Sequence, residues 1–148
     1  MNALEKGGCA QKKPIINIIM GRISLHGIRM KKLTITGTNS SVNIAASANR
    51  DVVNGKGGPD RIFGDGGNDA LDGGAGSNHI ESGDGNNVAR GNDGDGDWAS
   101  VVDNDTNDFV SGGDGTEDVC VVDLVNGVRD EFSDTCEKVY QTASIPQE

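Results

Sequence analysis

At 148 residues and a net charge of -10, the chain has the length of one domain but only three Phe, one Tyr and one Trp with which to fill it. Its 23 glycines raise the entropic cost of ordering the backbone, and apolar burial at about 25 cal/mol per Å² cannot offset that cost here. An ordinary globular core is excluded, so some other cross-link must hold the fold.

Charge is distributed unevenly along the chain. Residues 1–44 carry seven Lys or Arg against Glu5 alone, residues 45–118 carry four against sixteen acids, and residues 119–148 carry two against six. A basic head thus precedes an acidic body and tail. Residues 1–14, broken by Gly7, Gly8 and Pro14, read as an irregular arm. The apolar run Ile15 to Met20 is too short to span a membrane and is interrupted by Asn17, so it reads as a buried strand rather than a targeting segment. The pairs Ile23 and Leu25, Leu33 and Ile35, and Val42 and Ile44 alternate with period two, a strand signal that recurs about every nine or ten residues. Residues 15–48 are therefore expected to form rungs of a solenoid without metal-binding loops.

From residue 49 to 122 the repeat becomes explicit. Apolar residues fall at Ile35, Ile44, Val53, Ile62, Leu71, Ile80 and Ala89, nine apart, and Asp51, Asp60, Asp69, Asn78 and Asn87 run two positions ahead. A fixed period of this kind marks a stack in which each unit buries its apolar residue only against its neighbours. Asp97, Asp108 and Asp118, with Ala99, Val110 and Cys120, continue the series at steps of ten or eleven, as loop insertions on an outer face allow. The repeat is expected to stop after Val122, leaving 123–148 as a cap and tail whose composition leaves helix and strand both open.

Gly64, Gly67, Asp69 and Leu71 of one unit, and Gly73, Gly74, Gly76 and Ile80 of the next, follow the pattern G-G-x-G-x-D-x-U-x; Gly112, Gly113, Gly115 and Asp118 follow it with one insertion. Asp65 replaces the second Gly of the first unit, and Asn78 the Asp of the second. The chain resembles the RTX (repeat-in-toxin) nonapeptide family on these residues, several in tandem. The resemblance implies an all-β, right-handed parallel β-roll with about nine residues per half-turn. It also implies several calcium ions, in ladders along both loop edges. The expected ligands are Asp51, Asp60, Asp69, Asn78, Asn87, Asp97, Asp108 and Asp118, with backbone carbonyls near Gly55, Gly57, Gly64, Gly66, Gly73, Gly76, Gly85, Gly94, Gly112 and Gly115. Such chemistry suits calcium, a hard cation that takes six to eight oxygens, several of them backbone carbonyls aimed inward by tight turns. Loops eighteen residues apart face each other in such a roll, pairing Asp51 with Asp69 and Asn87, and Asp60 with Asn78. The neutral oxygens of Asn78 and Asn87 should bind more weakly.

Cys120 and Cys136 can form a disulfide, which suits an oxidising setting, and Cys9 is then free or pairs between chains. His79 reads as an outward, solvated side chain, Trp98 as an outer-face residue, and no hydrolase elbow, zinc-protease helix or Cys-x-x-Cys pair occurs. No enzyme, nucleic-acid partner or transmembrane segment is expected. The sequence predicts an extracellular structural calcium-binding solenoid that self-associates head to tail, because unlike ends that stack do not close on themselves. The absence of a second domain from these residues favours the roll as the product itself. The competing expectation is a calcium-triggered folding and secretion module of a larger RTX-type exported protein.

Overall fold

The computed structural model describes residues 15–17, 21–25, 27 and 32–143; the expected arm at 1–14, Ile18 to Met20, Cys9 and His26 lie outside the described residues. Among the described residues every regular element is a strand. In chain order these are β1 (Ile15–Asn17), β2 (Arg22–Ser24), β3 (Thr34–Thr38), β4 (Asn43–Ala45), β5 (Val52–Lys56), β6 (Arg61–Phe63), β7 (Ala70–Asp72) and β8 (His79–Glu81). They continue as β9 (Val88–Asp93), β10 (Trp98–Ser100), β11 (Phe109–Asp114), β12 (Val119–Val125), β13 (Val128–Arg129), β14 (Glu131–Phe132) and β15 (Lys138–Ala143).

Successive strands alternate between two sheets. One sheet runs β1-β3-β5-β7-β9-β11-β14, and the other runs β13-β12-β10-β8-β6-β4-β2 with β15 also on β12; all pairings are parallel except the β12–β13 hairpin. The chain is a parallel β-solenoid of about six turns. A nine-residue half-turn and an eighteen-residue turn follow from the period in the sequence, because each apolar residue meets its equivalent one coil away. Ile35, Val53, Leu71, Ala89, Val110 and Phe132 stack in one sheet. Ile23, Ile44, Ile62, Ile80, Ala99, Cys120 and Val139 stack in the other. Together they form a core one side chain deep on each side, and its middle, at Ala89 and Ala99, is the thinnest part.

The glycines let coils approach at backbone distance. Gly83 has φ +79, and a Cβ there would run into the Asp65 carbonyl of the preceding coil. Asp65 stands at the equivalent position and is itself left-handed, with φ 78. The turn, not the residue, dictates that conformation, and Asp tolerates it as few other side chains do.

Past Val122, where the nonapeptide pattern offers no further unit, both sheets still gain a strand. Phe132 of β14 lies in register with Val110, and Val139 of β15 with Cys120. A disulfide joins Cys120 to Cys136 and ties this last coil to the core. Closing a loop of 16 residues contributes about 3 kcal/mol in the chain-entropy picture. Among the described residues the segment 123–143 is extended, one of the two alternatives that composition left open.

Candidate metal sites along the loop edges

Each residue of the acidic series sits just ahead of its strand and uses one side-chain oxygen in the same way. It accepts the backbone N–H of the equivalent residue one coil earlier. On one edge Asp51 Oδ1 accepts from Leu33 N at 2.9 Å, Asp69 Oδ1 from Asp51 N at 2.7 Å and Asn87 Oδ1 from Asp69 N at 2.8 Å. Asp108 Oδ1 then accepts from Asn87 N, and Asp130 Oδ1 from Asp108 N at 3.3 Å. On the other edge the chain of acceptors is Asp60 to Val42 N at 2.8 Å, Asn78 to Asp60 N at 3.0 Å, Asp97 to Asn78 N at 2.7 Å and Asp118 to Asp97 N at 2.9 Å. Glu137 Oε2 ends it on Asp118 N at 2.8 Å. Side-chain oxygens thus extend the backbone ladder past the strand ends, and these residues, Glu137 aside, are at most 2 % exposed.

The second side-chain atom separates the rungs into two kinds. In Asp60, Asp69, Asp97, Asp108 and Asp118 the Oδ2 atom is buried and has no hydrogen-bond partner. Elsewhere the protein supplies a partner. Asp51 Oδ2 accepts from Ser47 N at 2.9 Å and Ser47 Oγ at 2.8 Å. Asn78 Nδ2 donates to the carbonyl of Gly76 at 2.9 Å and, more loosely, to that of Gly74 at 3.4 Å. Asn87 Nδ2 donates to the carbonyls of Gly83 at 2.8 Å and Gly85 at 2.7 Å. The coil before the repeats replaces the acid by Leu33 on one edge and Val42 on the other, both fully buried, so apolar side chains occupy the same columns.

Electrostatics follow this division. Burial pushes the Asp60 and Asp97 carboxyls up to about 6, Asp69 to about 7 and Asp108 to about 8, and it raises Asp118 as well. The backbone N–H that each accepts pulls the other way and is outweighed. A buried carboxylate oxygen without a donor is costly unless a proton or a cation meets it. Five such oxygens, four of them (on Asp60, Asp69, Asp97 and Asp118) beside glycine-rich turns whose carbonyls line the same loops, have the chemistry of a hard cation's donor set. These residues fit calcium.

Sequence reasoning did not single out Ser47, Asp103, Asp105, Asp123, Asp130 or Glu137. Asp130 and Glu137 each stand two residues ahead of an inward apolar residue, Phe132 and Val139, as the repeats do. That spacing was a usable signal, hidden because the step from Asp118 is no longer near nine. His79 and Trp98 lie on the outer face, where their rings stack at 4.3 Å, and His79 Nε2 meets Glu81 Oε1 at 2.8 Å. No helix among the described residues is long and apolar enough to cross a membrane.

Fold and loops define a β-solenoid whose edges present oxygen-rich candidate cation sites. Residues 46–80 and 72–95 match the family model of the RTX calcium-binding nonapeptide repeat, in four copies. Over those residues, about a third of the chain, the sequence is similar to that calcium-binding repeat. No curated protein and no solved structure matches the chain.

Proposed function

We propose that this chain is an extracellular, non-enzymatic structural element whose coils are cross-linked by calcium and which associates end to end. The observation that carries the calcium part is the set of five buried, partnerless Oδ2 atoms, on Asp60, Asp69, Asp97, Asp108 and Asp118, spread over both edges. Asp60, Asp69, Asp97 and Asp118 hold the ions together with the carbonyls of the glycine turns, and Asp108 does so from a loop without glycine. Bound calcium neutralises carboxylates that otherwise face one another across loops. Asp51, Asn78 and Asn87 complete the two columns through protein donors instead.

Support for an extracellular setting comes from the Cys120–Cys136 disulfide, which persists in oxidising compartments, and from the millimolar calcium found there. Support for end-to-end assembly comes from β15, which pairs only with β12 among the described residues and is largely exposed. An open strand edge templates further pairing, and a basic head against an acidic tail favours heterologous, non-closing contacts.

Calcium removal should unfold residues 49–122, since the loops then keep only like charges and orphaned oxygens. Far-UV circular dichroism in excess chelator tests this, and a spectrum that stays β-rich would reject it. Sedimentation in millimolar calcium tests assembly; a monomer at all concentrations would reject filaments and leave the second reading, a calcium-triggered folding module for export. That second reading is favoured by the same raised carboxyl groups, which make the metal-free coil unstable.

A further inference from the structure

The loop between β10 and β11, Val101 to Asp108, departs from the repeat. It contains no glycine, lies outside the residues matched by the nonapeptide model, and reads Asp103-Asn104-Asp105-Thr106-Asn107-Asp108. We propose that Asp103, Asp105 and Asp108 form a separate divalent-cation site, built from side-chain carboxylates rather than glycine-turn carbonyls, and that its ligand is calcium.

Three observations carry this. Each residue offers a carboxylate oxygen, and the three oxygens lie within 4.8 Å of one another. Asp108 is 2 % exposed, its Oδ1 is taken by Asn87 N, and its Oδ2 is buried with no hydrogen-bond partner. The cluster is also held in place by bonds that leave it oxygen-rich. Asp103 Oδ2 accepts from Gly85 N at 2.7 Å and Oδ1 from Asp105 N at 2.9 Å, while Asp105 Oδ1 accepts from Asn107 N at 3.0 Å. Asp123 Oδ2 fixes the loop from the next coil by accepting from Asp103 N at 2.8 Å and from Asn104 N.

The balance of charge points the same way. Among the described residues no Lys or Arg forms an ion pair with these three carboxylates. Three like charges gathered at one point without a counter-charge are unfavourable unless a cation joins them. An all-oxygen set with no imidazole or thiolate selects calcium over zinc or copper. Three carboxylates also give it more charge than a glycine-turn rung with one, and site affinity for calcium rises with ligand charge. It should therefore be the last site to empty.

Calcium titration of the whole chain by calorimetry, with bound ions counted after gel filtration, tests the assignment. For Asp103→Asn with Asp105→Asn, the tightest class of sites should shrink by one ion per chain, while the calcium-loaded circular dichroism remains β-rich. An unchanged count and unchanged affinities would overturn it. Should the double variant fail to fold in calcium, Asp105→Asn alone is read instead, since an amide oxygen can still accept from Asn107 N; it should weaken one tight site about tenfold or more, and an unaltered isotherm would again overturn the site. Calcium binding to the remaining rungs is measured in the same titration, so loss of this site and failure of the repeats to bind calcium are separate results.

Discussion

The middle of the roll, at Asn78 and Asn87, and the coils around it, at Asp60, Asp69, Asp97 and Asp118, present equivalent turns to different side-chain ends. All six accept a backbone N–H through one oxygen. They differ in one atom: the Asn rungs turn an amide N–H group onto two carbonyls of their own loop, and the Asp rungs leave an oxygen without a donor. On the function proposed above, an amide nitrogen does for the middle rungs what a cation does for the others, drawing the turn carbonyls together through positive charge density. Asp51 reaches the same end through Ser47, and Leu33 and Val42 by apolar filling. One backbone geometry thus admits three chemistries, and the proposed function makes the dependence of each coil on calcium a matter of a single side chain.

Truncation separates the two kinds most sharply. Asp69→Ala strands the Asp51 N–H and removes a cation ligand, so the bound-calcium count should fall by one and the calcium-saturated melting temperature should drop. Asn87→Ala strands the Asp69 N–H and the Gly85 carbonyl and leaves that of Gly83 only the 3.4 Å bond from Ser82 Oγ, a cost of about 2–3 kcal/mol, yet it should leave the count unchanged. Equal losses of calcium from both variants would break the comparison.

Exchange of the two residues produces a smaller change of stability, about 1–2 kcal/mol in calcium, but a cleaner sign. Asp69→Asn places an amide beside the carbonyls of Asp65 and Gly67, equivalent to those that Asn87 bonds. One ion fewer should bind, and folding should need less calcium. Asn78→Asp should do the opposite, adding one ion and raising the calcium needed. Chelator titrations followed by circular dichroism measure both midpoints, and shifts in the same direction would defeat the scheme.

Much of this was legible in the sequence because the period constrains so much at once. The nine-residue step of Ile44, Val53, Ile62 and Leu71 gives the two sheets, and the eighteen-residue relation of Asp51, Asp69 and Asn87 gives the stacking seen in the hydrogen bonds. What the period cannot carry is the direction of one amide. Asn78 and Asn87 read as weaker ligands when only their oxygens are considered, whereas in the structure those oxygens are already used on backbone N–H groups and the nitrogens face the turns. Asp103 and Asp105 were hidden for another reason: they occupy an insertion, where spacing carries no information about which carboxylates meet. Asp130 and Glu137 escaped because the last coil keeps the pairing but not the step.

The smallest expected effect concerns protons, which can stand in for calcium at the Asp rungs but have no role at the Asn rungs. The folded-state carboxyls of Asp60 and Asp97 titrate at about 6, Asp69 at about 7 and Asp108 at about 8, raised mainly by burial. In the unfolded chain the same groups titrate near 3.9. The fold therefore holds more protons than the unfolded chain between these limits. Its proton-linked stability is complete below the unfolded value and is lost as pH rises through 6 to 8. Metal-depleted protein should accordingly gain β signal on acidification from about pH 8 to about pH 5.5, a range set by those shifts. With calcium bound the trend reverses, because protons then compete with the ion for the same oxygens. Asp69→Asn removes one of the titrating groups and should flatten the metal-free slope, while Asn87→Ala should leave it unchanged. A metal-free signal that is flat or falls on acidification would show that the orphaned oxygens are not what destabilises the Asp coils.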